Sequence, residues 1–80
     1  MFSLSVIALD KKIYEGQAKS LTVPGTEGEL TILKDHIPLI TSLKKGIVRV
    51  VGEKDECSSF EIRGGVLEVK PNEVIVLINP

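Results

Sequence analysis

Val66-Leu67-Glu68-Val69-Lys70-Pro71-Asn72-Glu73-Val74-Ile75-Val76-Leu77-Ile78 is the stretch that decides the fold. Leu67 and Val69 alternate with Glu68 and Lys70, the period of two that marks a strand with one buried face. Pro71-Asn72-Glu73 supplies turn chemistry, and Val74 to Ile78 returns as a second strand. A hairpin of β-branched residues therefore closes the quoted sequence.

The same alternation recurs upstream. Ser58, Phe60 and Ile62 alternate with Glu61 and Arg63, ahead of Gly64-Gly65. Val48 and Val50 oppose Arg49 in the run Ile47 to Val51. That run is entered from the turn Lys44-Lys45-Gly46 and left through the charged loop Gly52-Glu53-Lys54-Asp55-Glu56. In Ala18 to Val23, Leu21 and Val23 stand opposite Ser20 and Thr22. Pro24-Gly25 reads as a turn, extended by Thr26-Glu27-Gly28 before a strand from Glu29 to Leu33. Phe2 to Leu9 puts Phe2, Leu4, Val6 and Ala8 on one face and Ser3 and Ser5 on the other, with Ile7 and Leu9 breaking the polar side. Asp10-Lys11-Lys12 turns the chain into a short return, Ile13-Tyr14-Glu15, ended by Gly16. Lys34-Asp35-His36-Ile37-Pro38 is the one polar irregular segment, its proline unable to join a ladder, and Leu39 to Leu43 is apolar again.

Composition agrees. Val, Ile and Leu supply nine residues each and Ala only two. β-branched side chains lose rotamer freedom in a helix and pack well on a pleated sheet. The expected fold is all-β, a flattened two-layer β-sandwich of about nine or ten short strands, in one domain spanning residues 1–80. With 80 residues, folding hides roughly 60% of the unfolded chain's surface, enough for one core. Ten basic and eleven acidic residues give a net charge of −1, which offers no field for nucleic acid or anionic lipid. The lone Cys57 rules out an internal disulfide framework. No apolar run approaches the ~20 residues of a membrane helix, and Met1 to Lys12 lacks the features of a signal peptide.

Catalytic chemistry is sparse. His36 is the only histidine, with no second ligand at metal spacing. Pro24-Gly25-Thr26-Glu27-Gly28 lacks the lysine and helix of a phosphate loop. Glu27 and Glu29 could serve acid-base work, but they also suit a solvated loop. His36 reads either as a histidine bonding its own loop backbone or as an interface contact. A small enzyme using His36 with Glu27 or Glu29 lacks an orienting partner and a nucleophile motif. A carbohydrate- or peptide-binding sandwich lacks a stacking platform, since Phe2, Tyr14 and Phe60 are the only aromatics.

Three stretches together resemble one family: Val23 to Leu33 with its Glu27-Gly28-Glu29-Leu30 core, His36-Ile37-Pro38-Leu39-Ile40-Thr41 with Lys45-Gly46 after it, and Gly64-Gly65-Val66-Leu67-Glu68-Val69. Their order is similar to that in the N-terminal domain of the epsilon subunit of F-type ATP synthase, called delta in mitochondria. The resemblance implies a β-sandwich that is a non-catalytic rotor subunit with no cofactor or metal. It couples the gamma subunit to the c-ring during proton- or sodium-driven ATP synthesis, and indirectly serves the alpha and beta subunits. The implied place is the cytoplasmic face of the bacterial inner membrane, peripheral and without direct insertion. Residue by residue, Thr26, Glu27, Gly28 and Glu29 match the segment that reaches the c-ring, and Ala8, His36, Ile37, Leu39 and Thr41 match positions against gamma. Many members continue into a regulatory helical hairpin. Eighty residues leave no room for it, so neither hairpin-based inhibition nor ATP binding is expected of this stretch.

Overall fold

The computed structural model describes residues 1–9 and 11–80; Asp10, assigned above to the first turn, lies outside the described residues. Among them are eight strands and no helix: β1 (Phe2–Ala8), β2 (Lys11–Gly25), β3 (Gly28–Ile32), β4 (Leu39–Leu43), β5 (Gly46–Gly52), β6 (Cys57–Ile62), β7 (Gly64–Val69) and β8 (Val74–Asn79). Neighbours run β1-β8-β7-β4-β2-β5-β6, with β3 also on β2, and β1 pairs β2 to close the sheet on itself. All pairs are antiparallel except β1 with β8, so the first and last strands lie side by side in parallel.

The all-β expectation holds, but the strand count is lower than nine or ten, because two expected strands are one. Gly16 does not end the return strand. It stays in the ladder opposite Leu4, and β2 continues for fifteen residues. Lys11 and Lys12 are likewise paired, opposite Ala8 and Ile7. Pro24-Gly25 is not the turn either. Pro24 pairs with Glu29 and Gly25 with Gly28, leaving Thr26-Glu27 as a two-residue loop. A Cβ on Gly25 would stand 2.7 Å from the Gly28 carbonyl oxygen, so glycine is required by that close approach.

The core follows the alternation. Leu4, Val6, Leu21, Val23, Val48, Val50, Leu67, Val69, Val74 and Val76 are buried in one cluster drawn from both layers. Among the described residues the buried set contains no polar or charged side chain, so the core depends on apolar area and shape. Gly65 lies where β7 meets β8. A side chain there would collide with the Leu77 carbonyl oxygen, which gives the Gly64-Gly65 landmark a packing reason.

Tyr14 sits half-buried opposite Val6, and its hydroxyl donates to the Gln17 carbonyl at 3.0 Å. Burial, and then the negative charges of Glu56 and Glu53, raise its pKa above the ordinary 10.0. Because the fold favours the neutral phenol, the unfolded chain ionises first. Tyr14's contribution to stability is therefore fully present below pH 10 and is lost as pH rises through the folded value. As the sole tyrosine in a chain without tryptophan, Tyr14 should report this directly: phenolate absorbance should rise at higher pH in the folded chain than in denaturant.

Val69 is 4% exposed and lies between Leu39 and Val74. Val69→Asp should abolish the cooperative thermal transition followed by circular dichroism, since it buries an unpaired charge. Val66→Thr, on the opposite face of the same strand, should shift stability by under about 0.5 kcal/mol.

Candidate interaction surfaces

The two landmark segments of the sequence meet in space. The hairpin of β2 and β3 carries Thr26 and Glu27 at its tip, both exposed, and Gly28 and Glu29 at the start of β3. It is fastened to the β4 region by two backbone hydrogen bonds. The Thr26 amide donates to the Ser42 carbonyl at 3.1 Å, and the Lys44 amide to the Pro24 carbonyl at 2.8 Å. The proline keeps its carbonyl as an acceptor although it has no amide to give. Glu29 projects beside Arg49, with 4.0 Å between Oε2 and Nη1. Both side chains are well exposed, so this pair adds little stability and leaves the carboxylate available at the surface.

The loop between β3 and β4 carries His36 and Ile37. Asp35 occupies the left-handed region at φ 67°, a conformation aspartate tolerates. The His36 Nδ1–H donates to the Ile37 carbonyl at 2.9 Å. This is the local backbone bond that the sequence offers as one reading of the histidine, and it fixes the ring's tautomer. His36 lines a groove of about 280 Å³ with Phe2, Ser3, Gln17, Lys70 and Glu73. Neither Glu27 nor Glu29 reaches that groove, so the structure does not bring the histidine together with a carboxylate of the hairpin. Ile37 is 77% exposed and projects from the loop.

The remaining sequence-assigned residues sit differently. Leu39 packs against the core, and Thr41 stands opposite buried Leu67. Both therefore occupy the inward face of β4. Ala8 also packs against the core, opposite Ile78. The outward positions of β4 are Ile40 and Ser42, which the sequence reading did not select. Ile40 is 71% exposed. Across the ladder it lies level with Glu68 and Ile75, while Ser42 lies level with Val66, Leu77 and Ile7. Leu77 is 49% and Val66 38% exposed. The outside of this layer thus carries an apolar patch of Ile40, Val66 and Leu77, bordered by Glu68, Ser42 and Ser5, with Glu15 beyond Ser5 on β2. The signal was present in the sequence as apolar residues at the polar phase of β7 and β8, but it could be read only once the neighbouring strands were known.

The other layer is largely polar outside, with Ile47 exposed among polar neighbours. Thr31, Thr22, Arg49 and Ser59 stand level across β3, β2, β5 and β6, and the hydroxyls of Thr22 and Thr31 lie 3.3 Å apart. Among the described residues no cluster of metal-ligating side chains occurs. The geometry is that of two dissimilar faces and one anchored hairpin tip.

Comparison with known proteins gives the same direction. A family model described as the ATP synthase delta/epsilon chain β-sandwich domain matches residues 1–80. The chain is 43% identical over 77 residues to an ATP synthase epsilon chain 2 from Ralstonia nicotianae, a match covering 96% of this chain and 55% of that relative. It therefore spans about half the length of the curated relative it matches. A chain of the Euglena gracilis mitochondrial ATP synthase superposes with a TM-score of 0.91 at 23% identity, covering 99% of this chain and 51% of the other. A chain of the Tetrahymena thermophila mitochondrial ATP synthase central stalk and c-ring gives 0.83 at 14%, covering 99% and 63%. Those two likenesses concern the fold; the family model and the bacterial relative show that this chain belongs to the ATP synthase delta/epsilon family, as its β-sandwich domain.

Proposed function

We propose that this domain is a non-catalytic rotor element of an F-type ATP synthase that links the gamma subunit to the c-ring. The observation that carries the reading is the match of residues 1–80 to the family's β-sandwich domain. Two structural features support it. The hairpin tip presents Thr26, Glu27, Gly28 and Glu29 as a polar projection, and the outer face of β4, β7 and β8 presents an apolar patch. Exposed apolar patches on small domains mark protein contacts.

The hairpin contacts the polar loops of the c-ring. Its carboxylates set register and speed association where the facing loops are polar or basic. Of the gamma set Ala8, His36, Ile37, Leu39 and Thr41, His36 and Ile37 make the contact and Ala8, Leu39 and Thr41 support it from the inward face. Ile40, Val66 and Leu77 extend it, because Ile40 follows Ile37 and Pro38 into β4 while Leu77 lies beside Ile7 at the Ala8 end. Leu39 and Thr41 act by holding β4 in place beneath Ile40. Torque requires that the two contacts move as one body, and the bonds from Thr26 to Ser42 and from Lys44 to Pro24 make that connection within the domain. Proton or sodium flow turns the ring, and the alpha and beta subunits make ATP without touching this domain. The bacterial relative suggests a location on the cytoplasmic face of the inner membrane, held there through protein.

Co-purification with gamma tests the reading; failure of the chain to bind gamma under any condition would overturn it. Ile40→Asp combined with Leu77→Asp should weaken gamma binding at least tenfold with the thermal midpoint unchanged, as measured by titration calorimetry. Glu29→Arg should leave gamma binding intact and reduce retention of the gamma complex on purified c-ring. Unchanged retention would remove the hairpin from the ring contact.

A further inference from the structure

β7 turns Val66, Glu68 and Lys70 outward, because alternate residues of a strand share a face and Leu67 and Val69 are buried. Across the ladders Glu68 stands between Ile40 of β4 and Ile75 of β8. Of the acidic residues described, it alone is half-buried; the others are exposed. Lys12, Lys19, Arg49 and Lys70 lie against Glu15, Asp55, Glu29 and Glu73. Among the described residues no cation pairs with Glu68.

A shallow groove of about 290 Å³ opens beside this carboxylate, lined also by Pro38, Ile40, Lys70 and Pro71. Clefts that hold drug-sized ligands start at about 300 Å³ and surround the ligand, so an open groove of this size suits a single side chain. Proline has no amide hydrogen, so Pro38 and Pro71 form apolar walls that donate nothing to the carboxylate. The Lys70 ammonium has Glu73 as its partner, 4.0 Å away.

A protein surface laid over Ile40, Val66 and Leu77 also takes water from Glu68, which stands among them. A carboxylate taken out of water has to be met by a cation or by strong donors. An arginine or lysine answers both parts of the groove. Its methylenes lie along apolar surface while its charged head reaches the carboxylate.

We propose that the gamma subunit sets one basic side chain in this groove, with its stem along Pro38, Ile40 and Pro71 and its charge on Glu68. The inference rests on the rotor reading and adds the partner's chemistry, a basic residue among apolar ones. Glu68 then determines specificity, because an acidic or purely apolar partner surface would leave its charge buried and unanswered.

Binding kinetics of this chain on immobilised gamma test it. Losing one member of a desolvated charge pair speeds dissociation, whereas losing a rim charge changes association and its salt dependence. Glu68→Gln should therefore raise the dissociation rate at least about tenfold without lowering the thermal midpoint of the chain. Glu61→Gln, which removes the same charge from β6 on the other layer, should leave dissociation unchanged. Glu68→Arg should bind more weakly than Glu68→Gln, and one Arg→Glu or Lys→Glu change in gamma should restore it. An unchanged dissociation rate for Glu68→Gln, while Ile40→Asp with Leu77→Asp still weakens binding, overturns this proposal and leaves the rotor reading standing. A lowered midpoint with unchanged dissociation also overturns it, since Glu68 would then serve its own chain. Failure of the unsubstituted chain to bind gamma removes both.

Discussion

β2 belongs to both layers at once, and the rest of the domain depends on that double membership. Ala18 is flanked by Phe2 and Gly52, Leu21 by Ile32 and Val50, and Thr22 by Thr31 and Arg49. A fifteen-residue strand can satisfy neighbours in two layers only if it twists and bends along its length. The irregularities sit where this bending requires them: the pairing shifts register between Val6 and Ile7 against β1, and between Ala18 and Ser20 against β5. Bulges of this kind increase local twist and let a strand pass from one sheet to another. In a chain of 8.7 kDa the arrangement also lets a small core draw on both layers. Leu21 is fully buried, with a paired strand on each side.

The same strand positions the candidate contact surfaces. Its C-terminal end forms the hairpin with β3, and Gly25 is also its one pairing with β4, opposite Leu43. The hairpin tip therefore does not hang free as an ordinary loop would. It is tied at Thr26 and Pro24 to the strand that carries Ile40 outward. A rigid scaffold holding short loops is the usual way a small β-domain presents binding residues. Here the scaffold also sets the apolar patch of Ile40, Val66 and Leu77 on one layer apart from the row of Thr31, Thr22, Arg49 and Ser59 on the other.

Much of this was legible in the chain itself. The phase of Leu67 and Val69 against Glu68 and Lys70 places the inner face of β7, and the same reading holds for Leu21, Val23, Val48, Val50 and Ile62. It failed where punctuation was taken for termination. Gly16 and Pro24-Gly25 look like breaks because glycine and proline usually mark turns. Inside this sheet Gly16 remains paired, and Pro24-Gly25 serves a ladder in which glycine is needed for close approach and the proline carbonyl still accepts. The inward placement of Leu39 and Thr41 was also not readable. Leu39 to Leu43 has both apolar and polar residues on each phase, and only pairing with β7 shows which phase faces the core.

The sequence by itself determined the fold class, the inner face of most strands and the family, because alternation, β-branched composition and landmark spacing are all local. Tertiary structure alone decided that β2 is one strand in two layers and that Ile40, Val66 and Leu77 lie on a common outer face. The physical reason is that each of these depends on which strands become neighbours. Neighbours are chosen by the mutual burial of faces far apart in the chain, and no local pattern of residues specifies that choice.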